Sequence, residues 1–172
     1  MTHALPGLIG TGLLLALSAP MFAQEPVVGV PNPESLFTSK DKKLNVNKQA
    51  ALHIMRDLLE ANHWDEADKW LTERYIQHNP NVKSGRAGVV AFFSATRKPT
   101  SIPDKMKTEI VQVVAEGDYV IVVTPRKYAD PRDPTKMYST TWFDMWRFVG
   151  GKADEHWDGA TIAPPNPNAK GK

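Results

Sequence analysis

The hydrophobic period of the chain changes once, near Pro103, and this change restricts the fold more than any other feature of the sequence. Before it, apolar residues recur at the three- and four-residue spacing of amphipathic helices. After it, runs of β-branched residues are separated by the tight turns Gly117-Asp118 and Gly150-Gly151. Helices that come first and hairpin-linked strands that come later predict an α+β fold, with an antiparallel sheet covered on one face.

Three helices are predicted before the change of period. They are "NKQAALHIMRDLLEANHW" at 47–64, "DEADKWLTERY" at 65–75 and "RAGVVAFFSATRK" at 86–98. The segment "YIQHNPNVKSG" is expected to be extended or turning, because Pro80 disfavours helix in the residue before it. Later in the chain, "DPRDPTK" at 130–136 is predicted to be a loop broken by prolines.

The first 23 residues differ in composition from the rest. The stretch "LPGLIGTGLLLALSA" is apolar and uncharged, and no Asp, Glu, Lys or Arg occurs before Glu25. We predict a signal peptide over 1–23, because this stretch is short for a membrane span and a polar segment follows it. The expected location is periplasmic or secreted, with no stable membrane span after cleavage. An uncleaved N-terminal anchor is the alternative.

The remaining chain divides by composition into three parts. Proline and polar residues dominate 24–44, which we predict to be a flexible leader. The folded domain is predicted over 45–162, and a disordered tail over 163–172.

The charges are nearly balanced, with 21 basic and 19 acidic residues scattered along the sequence. A nucleic-acid-binding protein normally carries a marked basic excess on one face or in one run, so we expect no nucleic-acid partner. The chain contains no cysteine, which excludes disulfides, thiolate catalysis and cysteine-bound zinc.

Strand alternation in "YSTTWFDMWRFV" places Trp142, Asp144, Trp146 and Phe148 on one face. Asp144 is therefore an acid among large aromatic side chains, which predicts partial burial. Apolar surroundings disfavour the charged carboxylate and suit it to proton transfer. The structural alternative is an acid paired with a neighbouring Arg or Lys.

Two histidines are further candidates. In "KADEHWDGAT", alternation places Asp154, His156 and Asp158 on one face and Trp157 on the other, but it does not decide which face is inward. An inward His156 would be flanked by carboxylates that fix its tautomer. His78 precedes an Asn-Pro turn, where a histidine either satisfies backbone groups of the turn or serves the site.

Two stretches, "YIQHNPNVKSGRAGVVAFF" and "TTWFDMWRFVGGKADEHWDGAT", together resemble the SnoaL-like proteins of the nuclear-transport-factor-2-like superfamily. The similarity runs from about residue 46 to 161. The residues that carry it are Tyr75, Gln77, His78, Asn79, Pro80, Gly85, Asp144, Arg147, Gly151, Lys152, Glu155, His156, Trp157 and Asp158. The chain departs from the family pattern at Ala153-Asp154 and Gly159-Ala160, which affects the expected shape of the cavity mouth.

The resemblance implies a cone-shaped barrel, in which about three N-terminal helices wrap a curved antiparallel sheet around a deep, mostly apolar cavity. In the polyketide cyclases of this family, cavity His and Asp residues act as acid and base without metal or cofactor, so neither is expected here. The catalytic residues it implies are His78, Asp144 and His156. The substrate-binding residues are expected to be Tyr75, Asn79, Trp142, Trp146 and Asp158. Members often dimerise through the open sheet face, which makes a homodimer one expected state.

Three functions fit these residues. The first is a cofactor-independent acid/base enzyme, of aldol-condensation or isomerase type, acting on a small, largely apolar carbonyl compound. Asp144 would move a proton at the carbon beside the carbonyl, and His78 or His156 would donate a hydrogen bond to the enolate oxygen. The second is a non-catalytic periplasmic ligand-binding or assembly module with the same cavity. The third is a metal site of His78, His156 and Asp158 or Asp144, which no helix-borne His-x-x-x-His spacing supports.

Overall fold

The computed structural model describes Met1 and residues 24–164. The predicted signal peptide therefore lies outside the described residues except for Met1, as does the predicted tail beyond residue 164. Among the described helices, none has the length and apolar character needed to cross a membrane.

In the part of the chain that the structure describes, the helices lie before residue 95 and cover one side of the sheet. Helix α1 spans Lys42–His53 and continues as a π-helical segment, Ile54–Glu60. It begins five residues earlier than predicted, because the Asp41 side chain caps it by accepting a hydrogen bond from the backbone N–H of Leu44. Helix α2, Ala67–Trp70, is a single turn, and α3 spans Arg86–Ser94.

Within residues 24–164, five strands form one curved, mixed sheet. They are β1 Leu71–Gln77, β2 Gln112–Glu116, β3 Tyr119–Asp130, β4 Asp133–Val149 and β5 Lys152–Trp157. Their order across the sheet is β1-β5-β4-β3-β2, and all neighbours are antiparallel except β1 and β5. The predicted α+β fold class is confirmed, and both predicted hairpin turns join consecutive strands.

Two local predictions differ from the structure. The second helix, predicted over 65–75, ends at Trp70, and the rest of that segment is strand β1. Leu71 and Tyr75 are both buried and four residues apart, a spacing that also fits a helix. Pairing with β5 makes this segment a strand. The loop predicted over 130–136 is mostly strand, with only a tight turn that the Arg132–Asp130 side-chain pair closes.

The segment predicted as a flexible leader makes specific contacts with the domain. The side chain of Phe37 is fully buried in the hydrophobic core. The backbone N–H of Val30 donates to the carbonyl of Ile110, and that of Val27 donates to the Ser139 hydroxyl. Burial of a phenylalanine stabilises the fold by about 2 kcal/mol. Phe37 of this segment is therefore part of the folded core.

Candidate functional site

A cavity of about 370 Å³ lies between the helices and one face of the sheet. Its helical wall is apolar and comes from the π-helical segment and α3, with Ile54, Met55, Leu59, Val89 and Phe93. Polar groups gather on the sheet side. A cavity of this size, with apolar walls and a few convergent polar groups, is typical of a small-molecule site.

Asp144 lies on the inner face of β4, between Trp142 and Trp146, and is 8% exposed. The alternation predicted from the sequence is confirmed, since Phe148 is buried on the same face and Phe143 is exposed on the other. Trp142 Nε1–H donates to Asp144 Oδ1 over 3.2 Å. His156 Nε2 lies 3.1 Å from the same oxygen. Among the described residues, no hydrogen bond engages Oδ2, so one oxygen of Asp144 is held by them and the other is left for a ligand.

His156 points into the cavity from β5, which answers the question that alternation left open. Its ring is 6% exposed, and its Nδ1 lies 2.7 Å from Gln77 Oε1. The same Gln77 oxygen accepts from the backbone N–H of Asn79, so it faces Nδ1 as an acceptor and places a proton there. Gln77 thus fixes the ring orientation. With its proton on Nδ1, His156 donates from Nε2 to Asp144 Oδ1 only as the imidazolium, in which both ring nitrogens carry hydrogen.

Tyr75 forms the third polar group of the cavity. Trp146 Nε1–H donates to its hydroxyl oxygen over 3.0 Å, so the hydroxyl proton is not used in that contact. Burial raises the pKa of the Tyr75 phenol, which keeps it a neutral O–H donor. Its ring stacks at 6.5 Å from His156.

Asp158 lies just beyond β5 and also lines the cavity. Asn79 Nδ2–H donates to its Oδ2 over 2.8 Å, and the backbone N–H of Ala160 donates to its Oδ1. One ligand atom each from Asp144, His156 and Asp158 lies within 4.8 Å of the other two. These three side chains could therefore share a single ion or a single polar ligand atom.

His78, expected at the cavity, lies outside it. Its Nε2 is 2.9 Å from Glu155 Oε1, its ring stacks on Trp157 at 5.0 Å, and its side chain is 44% exposed. The hydrogen bond from His78, followed by one from Arg147, lowers the pKa of Glu155. His78 faces outward because Gln77 and Asn79, its neighbours on either side, face the cavity.

Asp154 does not share the inner face with His156, contrary to the simple alternation. Arg147 pairs with Glu155 and Phe148 pairs with Ala153, so Asp154 is the extra residue of a β-bulge. Its carboxylate, 4% exposed, accepts hydrogen bonds from Thr72, Arg74 and Arg147 instead.

All five residues expected to bind substrate, namely Tyr75, Asn79, Trp142, Trp146 and Asp158, line the cavity, as do Asp144 and His156. Their roles stay predictions. Three further residues line it too: Gln77, which the sequence marked only as part of the family motif, and Thr124 and Arg126, which sequence reasoning did not single out. The alternation of Val120, Val122, Thr124 and Arg126 along β3 was a usable signal for the last two.

Comparison with known proteins agrees with this architecture. Residues 53–156 match the model of the SnoaL-like domain family. A candidate polyketide cyclase from Bacillus cereus superposes with a TM-score of 0.50 at 19% identity, covering 70% of this chain and 77% of that one. A candidate SnoaL-like polyketide cyclase from Jannaschia gives 0.50 at 17% identity, covering 74% and 99%. These identities establish likeness of fold alone. A comparison with curated protein sequences found no match.

Proposed function

This chain belongs to the SnoaL-like family of the nuclear-transport-factor-2-like superfamily, and we propose that it is a cofactor-independent acid/base enzyme acting on a small, largely apolar carbonyl compound. The proposal rests on how the two carboxylate oxygens of Asp144 are bonded. One oxygen of this buried carboxylate is held by Trp142 and His156, and the other is left to the cavity. We further propose, from the apolar N-terminal segment, that the protein is exported.

Asp144 is the proposed base. Its Oδ2 would take a proton from the carbon beside the ligand carbonyl, while the bonds to Oδ1 keep the carboxyl group from rotating. If Asp144 returned the proton to another carbon of the enolate system, the result would be isomerisation. If the enolate instead formed a carbon–carbon bond with a second carbonyl, Asp144 would return its proton to the oxygen of that carbonyl, and the product would be an aldol.

Tyr75 is the proposed donor to the enolate oxygen, in place of the histidine expected from the sequence. Its hydroxyl accepts from Trp146 and has its own proton free of that contact. A neutral O–H held rigidly in a water-poor site stabilises the charge that develops on the carbonyl oxygen. His78 cannot be this donor, because its side chain is 44% exposed and lies outside the cavity.

His156 is a proposed positioning residue. Gln77 holds its Nδ1, and its Nε2 contacts the oxygen of Asp144 that does not face the ligand. This contact fixes the direction of the carboxyl group. It also provides a local partner for the negative charge when His156 is protonated.

Proton transfer at carbon can be tested without knowing the natural substrate. We expect the protein to accelerate deuterium exchange at the α-carbons of 2-tetralone in D₂O, measured by proton NMR against buffer and against heat-inactivated protein. This bicyclic ketone is small enough for the cavity and mostly apolar. Binding by calorimetry without acceleration would favour the ligand-binding module. Absence of binding would contradict an apolar carbonyl ligand.

A second candidate function is metal binding, favoured by the 4.8 Å cluster of Asp144, His156 and Asp158. Imidazole and carboxylate are good ligands for divalent first-row metals. If this cluster is a metal centre, the purified protein should take up about one Zn²⁺ or Mn²⁺ per chain, measured by elemental analysis after dialysis. Asp158→Asn should then lose the ion. If the wild-type protein takes up no more metal than Asp158→Asn does, this cluster is not a metal centre.

A further inference from the structure

The inner face of β3 runs from the closed end of the cavity to its rim. Val120 and Val122 are fully buried, Thr124 is 3% exposed, and Arg126 is exposed. The register places Val122 opposite Asp144 and Thr124 opposite Trp142. Two strand residues span about 7 Å, so Thr124 lies about that distance from the level of Asp144, towards the rim.

Arg126 supplies a positive charge at this rim. Its guanidinium carbon lies 5.5 Å from the centroid of the Trp142 ring, a distance at which the ring face attracts a cation. Among the described residues, no carboxylate forms an ion pair with it. No described residue accepts a hydrogen bond from the guanidinium, so its N–H groups are free to bind a planar anion.

Thr124 supplies a second, independent indication of a ligand. Its hydroxyl oxygen is buried and has no hydrogen-bond partner among the described residues, although its side chain lines the cavity. A buried hydroxyl without a partner costs free energy, and natural structures rarely leave one unless something else completes it. A polar ligand atom beside Thr124 would do so.

Among the described residues, neither acid of the cavity forms an ion pair with Arg126. Asp144 contacts His156 and Trp142, and Asp158 accepts from Asn79 and from the backbone of Ala160. Along β3, the acids and hydrogen-bond donors therefore lie deep in the cavity, and the Arg126 cation lies at its mouth.

We propose that the cavity rim binds a carboxylate of the ligand between the Arg126 guanidinium and the Thr124 hydroxyl. Taken with the proposed function, on which this step rests, the substrate is a largely apolar carbonyl compound. Its carboxylate is separated by about 7 Å from the carbon that faces Asp144. Arg126 and Thr124 then determine specificity without taking part in the proton transfer.

The test compares 2-naphthoate, which is ionised at pH 7, with 2-naphthamide, its neutral analogue of the same shape, by isothermal titration calorimetry. We expect the wild-type protein to bind the carboxylate at least tenfold more tightly. Arg126→Gln should lose about tenfold in affinity for 2-naphthoate and keep its affinity for 2-naphthamide. Thr124→Val should lose several-fold for 2-naphthoate.

Lys127→Gln is the matched control, because Lys127 follows Arg126 on the strand and faces away from the cavity. It should keep the preference of the wild-type protein. Equal affinity of the wild type for the two compounds, binding of neither, or equal losses in Arg126→Gln and Lys127→Gln would overturn the proposal. The calorimetry needs no turnover, so a preference for the carboxylate without deuterium exchange would uphold the rim site and contradict the proposed catalysis alone.

Discussion

Asp144→Asn is expected to reduce deuterium exchange at the α-carbons of 2-tetralone by about 10³-fold, within the range that general-base catalysis contributes. The substitution removes the basic oxygen and little else. Asparagine has the shape of aspartate, and its carbonyl oxygen can still accept the hydrogen bond from Trp142. Binding of 2-tetralone, measured by calorimetry, should therefore change by less than about threefold.

Asp118→Asn is the matched control for this experiment. Asp118 is half exposed in the β2–β3 turn and pairs with an exposed lysine, Lys43, so its charge matters little. It should exchange at the wild-type rate. If Asp144→Asn kept its exchange rate, Asp144 would not be the base. If it lost binding and folding together, with altered circular dichroism, a structural role for the carboxylate would explain the loss better.

The parts of the fold that the sequence predicts are those held by local contacts. The β2–β3 and β4–β5 hairpins join runs that are adjacent in the chain, and the Gly-containing turns mark where each chain reversal falls. Strand β1 was missed because its pairing partner, β5, lies far along the chain. In the sequence alone, the four-residue spacing of Leu71 and Tyr75 fits a helix. Only pairing with β5 makes the segment a strand.

The site residues divide in the same way: those placed by regular local structure were predicted, and those placed by irregular structure were not. Asp144 and the aromatic residues around it were found because β4 is regular, so alternation assigns their face correctly. Asp154 was misplaced because the bulge beside Arg147 reverses the alternation, and nothing in "KADEHW" marks it. His78 was expected at the cavity from family resemblance, whereas its neighbours Gln77 and Asn79 occupy the inward positions.

The bulge has a consequence for stability, because it brings the carboxylate of Asp154 between Arg74 and Arg147. Hydrogen bonding from Arg74, assisted by Thr72 and the charge of Arg147, lowers the pKa of Asp154 from 3.8 to about 2. A carboxyl group with a lowered folded-state pKa contributes stability that is present above its unfolded pKa and is lost as the pH falls through the folded value. The contribution of Asp154 is therefore complete above about pH 4 and declines towards pH 2.

Asp154→Asn is accordingly expected to lower the free energy of unfolding by about 3 kcal/mol at pH 7, the lower end of the range for breaking a buried ion pair, because Arg74 stays solvated. Most of this loss arises at Arg147. Its side chain is only 23% exposed, and in the variant Glu155 would be its one remaining carboxylate partner. Urea unfolding followed by circular dichroism at pH 7, 4 and 3 measures this loss. The difference in unfolding free energy between variant and wild type should narrow between pH 4 and pH 3, because the unfolded wild-type chain, with the ordinary aspartate pKa, binds a proton at Asp154 in this range while the folded state does not. The control Asp118→Asn should stay within about 1 kcal/mol of the wild type at pH 7. A gap that did not change with pH would mean that packing, and not the charge of Asp154, stabilises the bulge.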